Sequence, residues 1–211
     1  MGLALGGLFA FTWFFSNTAG ATGLQAAPVA KTVDIVNAVN TSWVLIAAFL
    51  VFCMQAGFMM LEAGFARTRE AGNILAECIV DTCLCGILFW AIGFAFMFSH
   101  GNGWIGYHWF FLQNIPATYE TTGVSFLAFW IFQFAFADTA STIVSGAMVG
   151  RTAFKGDLLY SLGVSGLIYP ILGHWVWGPN GWLATLDTPF RDFAGSTVVH
   201  TVGGMLALTG A

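Results

Sequence analysis

The chain has 211 residues, of which 58% are hydrophobic and only 8% charged, with a net charge of −4. A soluble domain of this size cannot hide so much apolar surface, so the composition describes an integral membrane protein. Six basic residues against ten acidic ones leave no patch for nucleic-acid phosphates.

The run from Gly2 to Phe15, followed by SNTAGATG, resembles the apolar core and cleavage region of a secretory signal, although it lacks the usual basic start. Its length falls short of the roughly twenty residues that cross a bilayer, so residues 1–22 are expected to be a signal peptide. Residues 23–41 read as an extracytoplasmic lead-in. Runs long enough to span follow at about 42–61, 74–98, 123–149 and 158–177, and a fifth starts at Phe193. The fold class is therefore all-α, a polytopic membrane helix bundle. The 26 glycines suit close helix packing, and 22 phenylalanines and nine tryptophans suit space-filling and interface anchoring.

Arg67, Arg69, Arg151 and Lys155 lie in the loops after the first and third spans, which the positive-inside rule puts in the cytoplasm. The leader is then outside, as are the loops containing GNGWIGYHW and WGPNGWL. The expected location is the cell membrane, crossed several times.

An ionisable residue inside a span is either paired within the bundle or functional. Glu77 and Asp81, at i and i+4, share a face of the second span, and Asp138 lies in the third. Two readings stay open for these three: structural hydrogen bonding, or a path for cations or protons. Cys53, Cys78, Cys83 and Cys85 lie in apolar runs with no disulfide framework or paired CxxC, which favours packing over redox or metal chemistry.

Asp192 directly precedes the fifth apolar run, in the place of a helix N-cap, where a carboxylate accepts backbone N–H groups and faces the positive end of the dipole. His200 follows eight residues later, about 12 Å along a helix rising 1.5 Å per residue. Gly203 and Gly204 would let a neighbouring helix or a narrow lumen approach it, and a neutral imidazole both donates and accepts. Phe132 and Phe136, four apart in FWIFQFAFADTASTIVSGAM, share a face and either pack or close a passage.

DFAGSTVVH resembles the fifth-helix signature of the Amt/Mep/Rh ammonium transporters. CMQAGFMMLEAGFAR with NIL at 73–75, FQFAFA with IVSGAM, and HWVWGPNGWL resemble that family's first, third and fourth helices, in order and spacing. The resemblance covers residues 42–211. It implies the first five-helix half of an eleven-helix inverted repeat, assembled as a homotrimer with one pore per subunit, and a PII-type regulator of the full-length protein. By position, Trp177 would help recruit ammonium at an outer site, and Phe132 and Phe136 would stand at the outer pore and its gate. Asp192 would match the essential acid and His200 the first of two pore histidines. The second histidine and second gate ring belong to the other half, so the chain is expected to be a fragment. Ser196, Val149-Gly150, Glu70 and Asp138 depart from the common pattern.

The implied function is transport of ammonium and ammonia through a histidine-lined apolar pore, with no enzyme activity, cofactor or metal. The alternatives are an ammonium sensor built on the same module, and a membrane redox enzyme using Glu77, Asp81, Cys83 and Cys85.

Overall fold

The computed structural model describes residues 32–211. The expected signal peptide and the first part of the lead-in lie outside the described residues. The rest of the lead-in is helical: α1 (Thr32–Phe52) starts ten residues before the expected span and continues past the single irregular residue Cys53 into α2 (Met54–Phe65). Asn37, Asn40 and Thr41 interrupt the apolar pattern without breaking the helix. Two of them serve as docking groups instead: Asn40 Nδ2 donates to the Thr122 carbonyl at 3.3 Å, and Thr41 Oγ1 accepts the Ser125 N–H at 3.0 Å.

The second span runs through α3 (Ala71–Leu88), a π-helical turn at Phe89–Gly93 and the short α4 (Phe94–Phe98). The third is the unbroken α5 (Phe126–Met148). Among the described residues, three helical stretches are long and apolar enough to cross a membrane: Thr32–Phe65, Ala71–Phe98 and Phe126–Met148. The fourth run is also continuous helical backbone, made of α6 (Phe154–Gly163), a second π turn at Val164–Ile168 and α7 (Tyr169–Trp177), and its first turns carry Lys155 and Asp157. The fifth opens with a third π turn at Ser196–Thr201 and continues as α8 (Val202–Gly210).

The second π turn has a local cause. Pro170 has no N–H to give the carbonyl four residues back, so the helix widens there. The first π turn packs against it at Gly93, where an added Cβ would lie 2.9 Å from the Phe89 ring, 3.2 Å from Pro170 Cγ and 3.2 Å from the Ser165 carbonyl oxygen.

Helix α5 is central. It packs on α2 and α3 along one side and on α8 along the other. Tyr160 of α6 donates its hydroxyl to the Leu206 carbonyl at 2.8 Å, fastening α6 to α8. At the end opposite the basic loops, aromatic rings fill the core: Tyr119 stacks on Phe129 at 3.9 Å and donates to the Phe98 carbonyl at 3.2 Å. Burial pushes the Tyr119 phenol up, which keeps it a neutral donor.

Two rigid neighbours flank Gly93, so Gly93→Val is expected to lower stability by about 1–3 kcal/mol through overpacking. A lower unfolding temperature in detergent checks this, and Gly72→Val serves as the control, since an added Cβ there meets nothing within 4 Å.

Candidate functional site

The site lies at the tryptophan-rich end, where the chain leaves α7 and returns to start the fifth span. Trp177, the last residue of α7, donates its indole N–H to the Asp192 backbone carbonyl at 2.8 Å. Ring placement and loop course are thereby fixed together.

The Asp192 carboxylate accepts four backbone N–H groups. Oδ1 takes those of Gly195 and Ser196, each at 2.9 Å, and Oδ2 those of Thr197 and Val198, each at 2.8 Å. An unbonded first turn is the ordinary defect of a helix N-terminus, and a single side chain removes it here. The register differs from the expected N-cap: the residue flanking the helix is Gly195, and Asp192 reaches in from three positions upstream. Gly195 makes that reach possible. Its backbone is left-handed, with φ +93°, and an added Cβ would lie 2.6 Å from Val199 Cγ2.

The predicted aromatic residues converge on this corner. Phe136 lies 6.0 Å from the Trp177 ring at 70°, and Phe132 lies 5.0 Å from Phe136 at 88°. Together with Phe98, Gln133 and Ala194 they line a cavity of about 230 Å³. Gln133, which sequence reasoning missed, is buried and its Oε1 has no hydrogen-bond partner. An amide oxygen left open at an aromatic cavity can accept from an N–H donor.

His200 stands apart from this corner. Its backbone N–H donates to the Gly195 carbonyl at 2.9 Å within the third π turn, while its ring is exposed and does not line the cavity. The structure thus brings Trp177, Phe132, Phe136 and Asp192 together, and sets His200 on a face that the described residues leave uncovered. A second histidine that sequence reasoning passed over, His174, is fully buried three residues before Trp177. Its Nδ1 lies 2.8 Å from the Met97 carbonyl oxygen and its Nε2 lies 2.9 Å from that of Asn102, so it ties the turn after α4 to α7.

Among the described residues, no three His, Cys, Asp or Glu side chains are close enough to hold a metal ion. Cys83 is exposed whereas Cys85, Glu77 and Asp81 are buried, so the four do not form the set that the redox alternative requires.

The sequence profile of the Ammonium Transporter Family matches residues 42–211. Ammonium transporter Amt2 of Archaeoglobus fulgidus is 42% identical over 179 residues, covering 81% of this chain and 37% of that protein. Ammonium transporter 1 member 3 of Solanum lycopersicum is 38% identical over 185 residues, covering 84% and 39% respectively. Among solved structures, Sensor Amt Protein superposes with a TM-score of 0.76 at 38% identity, over 83% of this chain and 44% of that one. Mep2 of Candida albicans shares the fold, with a TM-score of 0.74 at 24% identity. The chain spans less than half the length of these relatives.

The left-handed backbone at residue 195 sets a ranking. Gly195→Asn is expected to be less damaging than Gly195→Val, because Asn tolerates positive φ and a β-branched residue does not; the gap should be about 1–2 kcal/mol. Thermal unfolding of the two variants checks it, and equal losses would refute the backbone explanation.

Proposed function

Because the chain belongs to the ammonium transporter family, we propose that the protein carries ammonium nitrogen across a cell membrane, and that this chain supplies the first half of the conduit. The observation that supports the reading most is the bond from Trp177 to Asp192, which joins the aromatic corner to the start of the helix bearing His200.

In this reading ammonium meets the Trp177 ring face, which attracts a cation electrostatically, and gives an N–H to Gln133 Oε1. Its charge cannot follow it inward cheaply, since an ion taken into an apolar lumen loses its hydration. Ammonium can surrender a proton and continue as ammonia past Phe136; potassium cannot, and that supplies selectivity without a tight cage. The role proposed for Asp192 is to anchor and orient the fifth helix, with a carboxylate that also favours an approaching cation. His200 then offers ammonia a hydrogen-bond partner along the way. The relatives are more than twice as long as the stretch matched, so a second helical half is proposed to close the lumen over the exposed His200 ring. The loops bearing Arg67, Arg69, Arg151 and Lys155 face the cytoplasm, and three copies assemble, each with its own pore. A PII-type protein is proposed as regulator of the full-length molecule.

Sensing is the second reading, favoured by the similarity to Sensor Amt Protein: the same corner would bind ammonium without passing it.

Uptake of labelled methylammonium by the full-length protein tests the proposal. Asp192→Asn keeps the side-chain size but turns acceptors toward donors, and should cut uptake about tenfold or more, the equivalent of one charge-assisted hydrogen bond. His200→Ala should cut it by a smaller factor. Undiminished uptake in Asp192→Asn contradicts the role given to that residue. Binding without any uptake by the native protein decides for the sensor.

A further inference from the structure

Behind the aromatic corner, on the other side of α5, lies a seam of acids that the transport reading does not use. Glu62 on α2, Glu77 and Asp81 on α3, Asp138 on α5 and Asp157 on α6 are each at most 7% exposed. Among the described residues no basic side chain is buried with them; Arg67, Arg151 and Lys155 sit in or beside the loops at one end. Hydroxyls and one thiol bond the acids individually. Ser141 donates to Asp81 Oδ1 at 3.0 Å, Ser161 bonds the same oxygen, and Thr82 donates to Asp138 Oδ2 at 3.1 Å. Cys78 and Ser145 both donate to Glu62 Oε2, and Glu77 and Asp157 share a hydrogen bond.

Donors nevertheless run short. Glu62 Oε1, Asp81 Oδ2, Asp138 Oδ1 and Asp157 Oδ2 are buried without a hydrogen-bond partner. So is the Tyr169 hydroxyl, which lies outside the acid set and is fully buried. Unpartnered buried oxygens at this density call for a physical explanation, and a bound ligand is one. A metal ion does not fit, because no three of these groups converge among the described residues. The proton does, since it needs only one oxygen at a time. Access exists as well: a cavity of about 420 Å³ opens at the basic end, and Glu77 lines it alongside Glu70, Asn73 and Arg151.

We propose that this seam is a proton-binding site, filled from the basic end through Glu77, and that its loading regulates the conduit. The regulatory part rests on the transport reading above. Helix α5 is the coupling element. Asp138 follows Phe136 by two residues, about 3 Å along the axis and on nearly the opposite face, so α5 carries the gate ring toward the conduit and the acid toward α3. With protons bound, the acids are neutral and donate to the open oxygens, and α3, α5 and α6 pack closely. When they leave, each O–H bond breaks with its electron pair remaining on the carboxylate and the proton passing to water at Glu77. Like charges on Asp81 and Asp138 then force α3 and α5 apart and displace the Phe136 ring. Glu62, Glu77, Cys78, Cys85 and Asp157 are the other titratable groups facing this pair, and none is a cation to relieve it. Tyr160 is turned away, toward Leu206.

The test uses the full-length protein in vesicles, with the basic face inward, the outer pH fixed and the inner pH varied. Because native protein and Asp138→Asn experience the same ammonium and proton gradients, the ratio of their methylammonium uptake rates isolates the seam. Near-equal rates are expected at acidic inner pH, with the native rate falling about fivefold below Asp138→Asn at alkaline inner pH, the low end of coupling between distinct sites. A ratio independent of inner pH overturns the regulation. Infrared difference spectra of the same vesicles read the protons directly. Protonated carboxyl bands should vanish as the inner pH rises, with one fewer in Asp138→Asn; bands that do not respond overturn the binding site itself. The infrared measurement does not require transport, so a native protein that binds protons but moves no methylammonium would sink the transport reading and leave the proton site standing.

Discussion

One carboxylate with four backbone amides aimed at it holds the functional corner together. A helix that begins within a bundle exposes N–H groups that neither lipid nor apolar side chains can satisfy. Asp192 satisfies those of residues 195–198 from a single position, and the left-handed Gly195 folds the chain tightly enough for it to reach them. The main-chain carbonyl of the same residue receives the Trp177 indole. Helix start, aromatic corner and loop path are therefore one unit, and the direction in which His200 projects is inherited from it.

Helix α5 divides two environments. One face presents Phe132 and Phe136 to the cavity beside Trp177, and beyond them Ile143 and the Ala140 carbonyl meet Gly203 of α8 closely enough that an added Cβ there would lie about 3.1 Å from Ile143. The other carries Asp138, Ser141, Thr142 and Ser145 toward α2, α3 and α6. The aromatic cavity and the buried acids are thus kept apart by the thickness of one helix.

Much of this was legible in the residues. Apolar runs located the spans because a bilayer demands them, and the family motifs singled out Trp177, Phe132, Phe136, Asp192 and His200, of which the first four lie near one another in the structure. The start of α1 was not legible, since Asn37, Asn40 and Thr41 lower the apolar character of a segment that is helical nonetheless. The three π turns left no periodic signature; only Pro170 announced one. The offset of Asp192 from the cap position depends on a positive φ at Gly195, which a sequence permits but does not declare. Glu62 and Asp157 were passed over singly, although Gln55 with Glu62, Asp157 with Ser161, and Asp138 with Ser141, Thr142 and Ser145 repeat at helical spacing and trace the polar seam. Gln133 and His174 gave no local sign at all, because the open amide oxygen of the one and the two carbonyl partners of the other are made by distant parts of the chain.

If the Asp192 cap aims the fifth helix as described, the imidazole it carries has one destination. An experimental structure of the full-length protein in lipid, solved with an ammonium salt present, measures this most directly. The account predicts the His200 ring bordering an enclosed, narrow lumen on the far side of Phe136 from Trp177. A ring lying against lipid, or packed solidly by protein with no lumen beside it, would contradict it.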